Sequence, residues 1–242
     1  MTLLLRAIVA TDNASVAADL GLRAVSGTRV AALASPWEVA GAAGEAELLE
    51  HHRVIQGVFE RVPCLPARFG SVFPDETALR ARLAEREIDL ASQLALVGHR
   101  CELAITCAWR DAGALQQGDT GRLQGVPPLR FSGVTPPTPI VPVSSGRAYL
   151  ERSLERRRDE RGREARAEEI AARLRTELAV DPALIRYRTC PRPAVAVSMS
   201  VLVTRDEIDG LRSRLERLGA QLPDVTTVMQ GPWAPYTFAV SE

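Results

Sequence analysis

The hydrophobic pattern is clearest from Leu65 to Cys107. In Leu65-Pro66-Ala67-Arg68-Phe69-Gly70-Ser71-Val72-Phe73 the alternation has period two: Leu65, Ala67, Phe69 and Phe73 share one face, and Arg68 and Gly70 share the other. Asp75 to Val97 then repeats at 3.6 residues, with Leu79, Leu83, Leu90, Leu94 and Val97 on one side of a helix. Asp75 fits an N-cap, and Gly98 fits the left-handed position that ends a helix. Cys101 to Cys107 alternates again: Cys101, Leu103, Ile105 and Cys107 face one way and Glu102 the other. The stretch reads as one strand–helix–strand unit.

The same reading extends along the chain. Leu3 to Ala10 is a short apolar strand, with Leu3, Leu5, Ala7 and Val9 opposed to Arg6. Asp12 to Gly21 fits either a loop or a short helix. Ser26-Gly27 suits a hairpin turn between a strand ending at Val25 and one over Arg29 to Ala34. Glu45 to Val62 is an amphipathic helix that Pro63 ends. Residues 1–110 thus read β-β-β-α-β-α-β: a ferredoxin-like antiparallel sheet with helices on one face.

Residues 111–145 are rich in Gly and Pro and have no sustained periodicity, which predicts a linker. Gly146 to Val180 reads as a long helix whose middle, Glu151 to Glu169, is mostly Arg and Glu with opposite charges three or four apart. Its flanks, Tyr149, Leu150 and Leu154, then Ile170, Leu174 and Leu178, are expected to pack. Ala194 to Val203 is a strand. Thr204 and Glu207 form a capping box for a helix carrying Ile208, Leu211, Leu215 and Leu218. Val225 to Met229 and Tyr236 to Val240 read as strands around a tight turn at Gly231 to Pro235. Residues 146–242 therefore form a smaller α+β domain that begins with a long charged helix. The fold class is α+β, with two domains.

Three motifs change this picture. The run "LPARFGSVF", the Leu-rich helix and "GHRCELAI" resemble the signature of the gas vesicle GvpL/GvpF family. Gly146-Arg147-Ala148-Tyr149-Leu150 and Gly231-Pro232-Trp233-Ala234-Pro235-Tyr236-Thr237-Phe238 agree with it, in order, over most of the chain. The resemblance implies the ferredoxin-like fold. It also implies a non-catalytic accessory protein that helps assemble the gas-filled shell. Its expected partners are the hydrophobic major shell protein and other gas vesicle accessory proteins, at the gas vesicle in the cytoplasm.

Composition and chemistry agree with a binding role. The 242 residues are 46% hydrophobic and 25% charged, and 30 basic residues balance 30 acidic ones. No global field draws in nucleic acid. Every basic residue other than His is Arg, as the chain has no Lys. No apolar run approaches the ~20 residues of a membrane helix, and no leader pattern opens the chain. The four cysteines read as small core residues in a reduced compartment. No cofactor, metal or catalytic grouping is expected, and His51-His52 is weak as a ligand pair. The rival reading is a small-molecule-sensing ferredoxin-like module, which needs a pocket with converging polar groups.

Candidate site residues follow from the pattern. Arg6, Arg68 and Glu102 share the polar face of the first sheet if the strands of Arg68 and Glu102 flank the first strand. They form either a solvated set or a covered Arg–Glu–Arg cluster. Gly70 on that face, beside Phe69, would allow close backbone approach. Trp233, Pro235 and Tyr236 form either an aromatic partner surface or a rigid turn whose rings fill the second core.

Overall fold

The structure, a computed structural model, describes residues 1–38, 44–110 and 146–239. The linker expected over 111–145 lies outside the described residues.

Two antiparallel sheets carry the fold. The first is built from β1 (Leu3–Ala10), α1 (Val16–Asp19), β2 (Arg23–Ser26), β3 (Val30–Pro36), α2 (Glu45–Phe59), β4 (Leu65–Pro66), β5 (Val72–Phe73) and α3 (Glu76–Val97). The second is built from β6 (Cys101–Trp109), α4 (Gly146–Leu178), β7 (Ile185–Arg192), β8 (Val195–Val203), α5 (Ile208–Ala220) and β9 (Val225–Trp233). The strand orders are β2-β3-β1-β4, with β5 also on β1, and β7-β8-β6-β9. Each sheet has the β-α-β-β-α-β order of a ferredoxin-like unit, with its first strand in a central place.

One pairing differs from expectation. The strand of Glu102 does not flank β1; it pairs with β8 along one side and β9 along the other. The alternation of Cys101, Leu103, Ile105 and Cys107 sets which face is buried but says nothing of which strand lies alongside. The free side of β1 is already taken by β4 and β5.

Helices cover both faces of the first sheet rather than the one face expected. On one face Leu3, Ile8, Val25, Val30, Ala32 and Ala34 pack with Leu79, Leu83, Leu94 and Val97 of α3. On the other, Ala7, Val9, Ala31 and Leu33 pack with Val16 and Ala17 of α1 and Val58 of α2. β1 also carries a bulge. The register of β1 on β3 shifts between Leu5 and Ala7, so strict alternation fails at Arg6. Arg6 thereby lies on the α2 side together with Ala7 and Val9, not opposite them.

In the second sheet Cys101, Leu103, Ile105, Val197, Met199 and Val201 form one core with α4 and α5. Helix α3 begins with Asp75 accepting from the Ala78 N–H at 2.8 Å and ends at Gly98 in the left-handed region. The capping box of Thr204 and Glu207 is present. The C-terminal half of α4 docks through Ala167, Ile170, Leu174 and Leu178, and Arg166 holds Asp224 in a two-point ion pair. Residues 157–165 of α4 are exposed, and so is Leu154, against the expectation that it packs.

Two strand assignments change. β7 is a strand unread in the sequence, because Arg186, Tyr187 and Arg188 are all exposed on a sheet edge and leave no alternation. The strand expected from Tyr236 to Val240 does not form over its described residues: residues 236–238 form a turn, and β9 itself runs on to Trp233 through a cis Gly231–Pro232 bond.

Because β6 is central to the second sheet, a cut at residue 110 removes its middle strand. A fragment of residues 111–242 is expected to show no cooperative thermal unfolding by circular dichroism. A fragment of residues 99–242 is expected to retain it. Equal behaviour of the two fragments would contradict the pairing of β6.

Candidate functional site

Arg6, Arg68 and Glu102 are not brought into one cluster. Arg6 is 7% exposed and lies under α2. Its Nε donates to Ser35 Oγ at 2.9 Å, and its Nη1 donates to His51 Nδ1 at 3.1 Å. Arginine has no acceptor, so Nδ1 of His51 must accept and Nε2 must carry the proton. Nε2 then donates to the Ala67 carbonyl at 3.0 Å. Phe69 closes this pair from outside, edge-on to His51 at 5.3 Å and to Trp37 at 6.0 Å. Sequence reasoning missed His51 as Arg6's partner; its position on the sheet-facing side of α2 was the available signal.

Burial holds the His51 imidazole down to about 4, and the positive charge of Arg6 adds to this. The same burial lowers Arg6 from the usual range.

Glu102 is 5% exposed on the other face of β6. Its carboxylate accepts from Thr237 at both oxygens: from N–H at 2.8 Å and from Oγ1 at 2.5 Å. Burial pushes its carboxyl up, and these bonds oppose the rise. The pairing continues along the motif. Trp233 lies opposite Glu102 in the β6–β9 ladder. Gly231 sits at φ +123°, and a Cβ there would stand 2.8 Å from the Glu102 carbonyl oxygen, so only glycine fits.

After Trp233 the chain folds back over the sheet. Ala234 and Pro235 are buried, and Phe238 enters the core of the first sheet with Leu202 of β8. Tyr236 and Trp233 are half-buried beside His52 of α2, and the Tyr236 hydroxyl lies 3.1 Å from His52 Nδ1. The Trp233 indole N–H is buried without a partner among the described residues. The aromatic run thus fills the junction between the sheets, and is neither a free surface nor part of the second core.

Arg68 and Gly70 border a cleft instead. It has a volume of about 480 Å³ and lies between α3 and the Leu65–Phe73 segment, with Tyr236 at one side. A Cβ at Gly70 would meet no heavy atom within 4 Å; its φ of +89°, not close approach, is what calls for glycine. Arg68 is exposed. Among the described residues no group of three His, Cys, Asp or Glu could hold a metal ion. Burial pushes Cys64 up to about 12, far from thiolate chemistry.

Two outcomes follow. His51 binds its proton near 6.5 when unfolded and near 4 when folded, so stability falls as pH drops through that window. The loss is on the order of 3 kcal/mol, and His51→Gln should remove it from urea-unfolding curves taken across the window. The raised Glu102 carboxyl acts in the opposite sense, so the comparison is wild type against variant. Thr237→Val, which removes the Oγ1 bond and leaves the N–H one, and Glu102→Ala should each cost roughly 1–3 kcal/mol and be non-additive, because both remove the Oγ1 bond. Arg68→Ala should cost less than ~0.5 kcal/mol and add simply to Glu102→Ala. Coupling between Arg68 and Glu102 in a double-mutant cycle would contradict the geometry.

Comparison with known proteins points to one family. The family model described as gas vesicle synthesis protein GvpL/GvpF matches residues 7–240. Gas vesicle protein L of Streptomyces sp. (strain CB03234) is 28% identical over 200 residues, which is 80% of this chain and 69% of that protein. Gas vesicle protein F of the same strain is 24% identical over 204 residues, 79% of this chain and 76% of that protein. The crystal structure of GvpF from Anabaena sp. PCC7120 superposes with a TM-score of 0.67 at 16% identity, over 100% of this chain and 97% of that one. GvpF from Microcystis aeruginosa gives 0.65 at 16% identity, over 99% of each chain. These two share the fold. With the family model covering nearly the whole chain, the protein belongs to the GvpL/GvpF family of gas vesicle synthesis proteins.

Proposed function

We propose that this chain is a non-catalytic accessory protein of gas vesicle assembly. It binds the apolar major shell protein in the cytoplasm, together with other gas vesicle accessory proteins, and can stay as a minor shell-associated component. The observation that carries this reading is the family match over residues 7–240. No described helix is long and apolar enough to cross a membrane, so the reading needs no membrane anchor among those residues.

The local chemistry supports binding rather than turnover. Glu102 is met at both oxygens by Thr237, and His51 at both ring nitrogens by Arg6 and the Ala67 carbonyl. The cysteines Cys64, Cys101 and Cys107 are buried, and burial raises all three thiols. A small-molecule sensor would need converging polar groups around a cavity at the junction. At the junction Trp233, Pro235 and Phe238 take up the space, and the cleft that Tyr236 borders is lined mainly by apolar side chains, so the assembly reading is preferred.

Purified chain mixed with the major shell protein of its own organism is expected to form a complex that survives gel filtration. It should also slow shell-protein aggregation in proportion to the amount added, as a binder does. Absence of both the complex and the effect on aggregation would defeat the proposal.

A further inference from the structure

The cleft beside Arg68 has two unlike components. Its floor and walls are apolar: Leu5 and Ile8 of β1, Leu65 and Phe73 of the edge segment, and Leu79 and Leu83 of α3. Three arginines stand around it. Arg82 and Arg86 come from α3, four residues apart, which is about one turn or ~6 Å of rise. Arg68 comes from the opposite wall, on the loop that separates β4 from β5.

Their partners matter. Arg82 donates to the exposed Glu85 at 2.8 Å. Arg68 and Arg86 have no hydrogen-bond or ion-pair partner among the described residues. Val72, at the mouth, is 39% exposed. A guanidinium beside apolar surface is best met by a carboxylate, which it binds at two points. An apolar floor is best met by aliphatic or aromatic side chains. A phosphate backbone would satisfy the arginines and leave the floor wet.

We infer that this cleft docks an amphipathic segment of the shell protein: one or two apolar anchor side chains, with carboxylates placed beside them to reach Arg86 on one wall and Arg68 on the other. The inference rests on the proposed binding of the shell protein and names the site for it. Arg82 can exchange its exposed bond to Glu85 for the incoming segment at little cost, since exposed pairs are worth only tenths of a kilocalorie. Val72 lies on the edge segment of the first sheet and lines this cleft.

Full-length chain carrying Arg68→Glu with Arg86→Glu, or Val72→Asp alone, is compared with wild type. Binding of purified shell protein is measured, and thermal unfolding confirms that each variant is folded. Arg188→Glu, on an exposed strand of the second sheet, is the control. Wild type and control should bind alike. Both cleft variants should bind about tenfold or more weakly, and wild-type binding should weaken with salt. An acidic-to-Arg change in the shell protein should restore binding to the Arg68→Glu, Arg86→Glu variant and not to Val72→Asp. If wild type binds and the folded cleft variants bind equally well, the cleft is not the site and the functional reading stands. If wild type itself does not bind, the functional reading fails and the docking site fails with it.

Discussion

A carboxylate shut away from water must be met by donors, and Glu102 is met at both oxygens by Thr237. That requirement ties the end of the chain to the second sheet. With Thr237 held, Phe238 is placed in the first core beside Leu202, and Tyr236 beside His52 of α2. The two cores therefore meet at a segment whose position is set by one buried acid. Apolar burial supplies the larger energy, at about 1.5–3 kcal/mol for a ring such as Phe238. It is not directional, and the hydrogen-bonded carboxylate supplies the direction.

The elements were largely legible in the sequence because their signals are local. Asp75 as a cap, Gly98 as a stop, and the 3.6-residue spacing of Leu79, Leu83, Leu94 and Val97 are all contained within α3 and its two ends. The capping box at Thr204 is likewise contained within four residues. What failed was non-local. Nothing in Cys101–Trp109 specifies β8 and β9 as its neighbours rather than β1. β7 escapes a pattern search because an exposed edge strand rich in Arg carries no alternation. The Arg6 bulge escapes it because one inserted residue inverts every side chain after it, and no residue type announces it.

The candidate site was legible as a set of residues but not as an arrangement. Arg6 and Glu102 stand out as charges within apolar strands, and both are buried. Their partners are His51 and Thr237, far away in sequence and unremarkable in type. Trp233, Pro235 and Tyr236 stand out by composition, and their place at the junction depends on β9 lying against β6. Arg68 becomes part of a cleft because α3 packs across β1 and the Leu65–Phe73 edge, which periodicity alone does not fix.

The place of β6 also sets an order of events during synthesis. Its last residue is Trp109, its first partner strand starts at Val195, and its second ends only at Trp233. At the translation speeds at which domains fold as they emerge, that separation is on the order of ten seconds. Until β8 is made β6 has neither neighbour, and until β9 is complete one of its edges stays unpaired. The nascent chain therefore carries an apolar strand unpaired well after it is made, and β9, more than a hundred residues later, is the strand that closes its second edge.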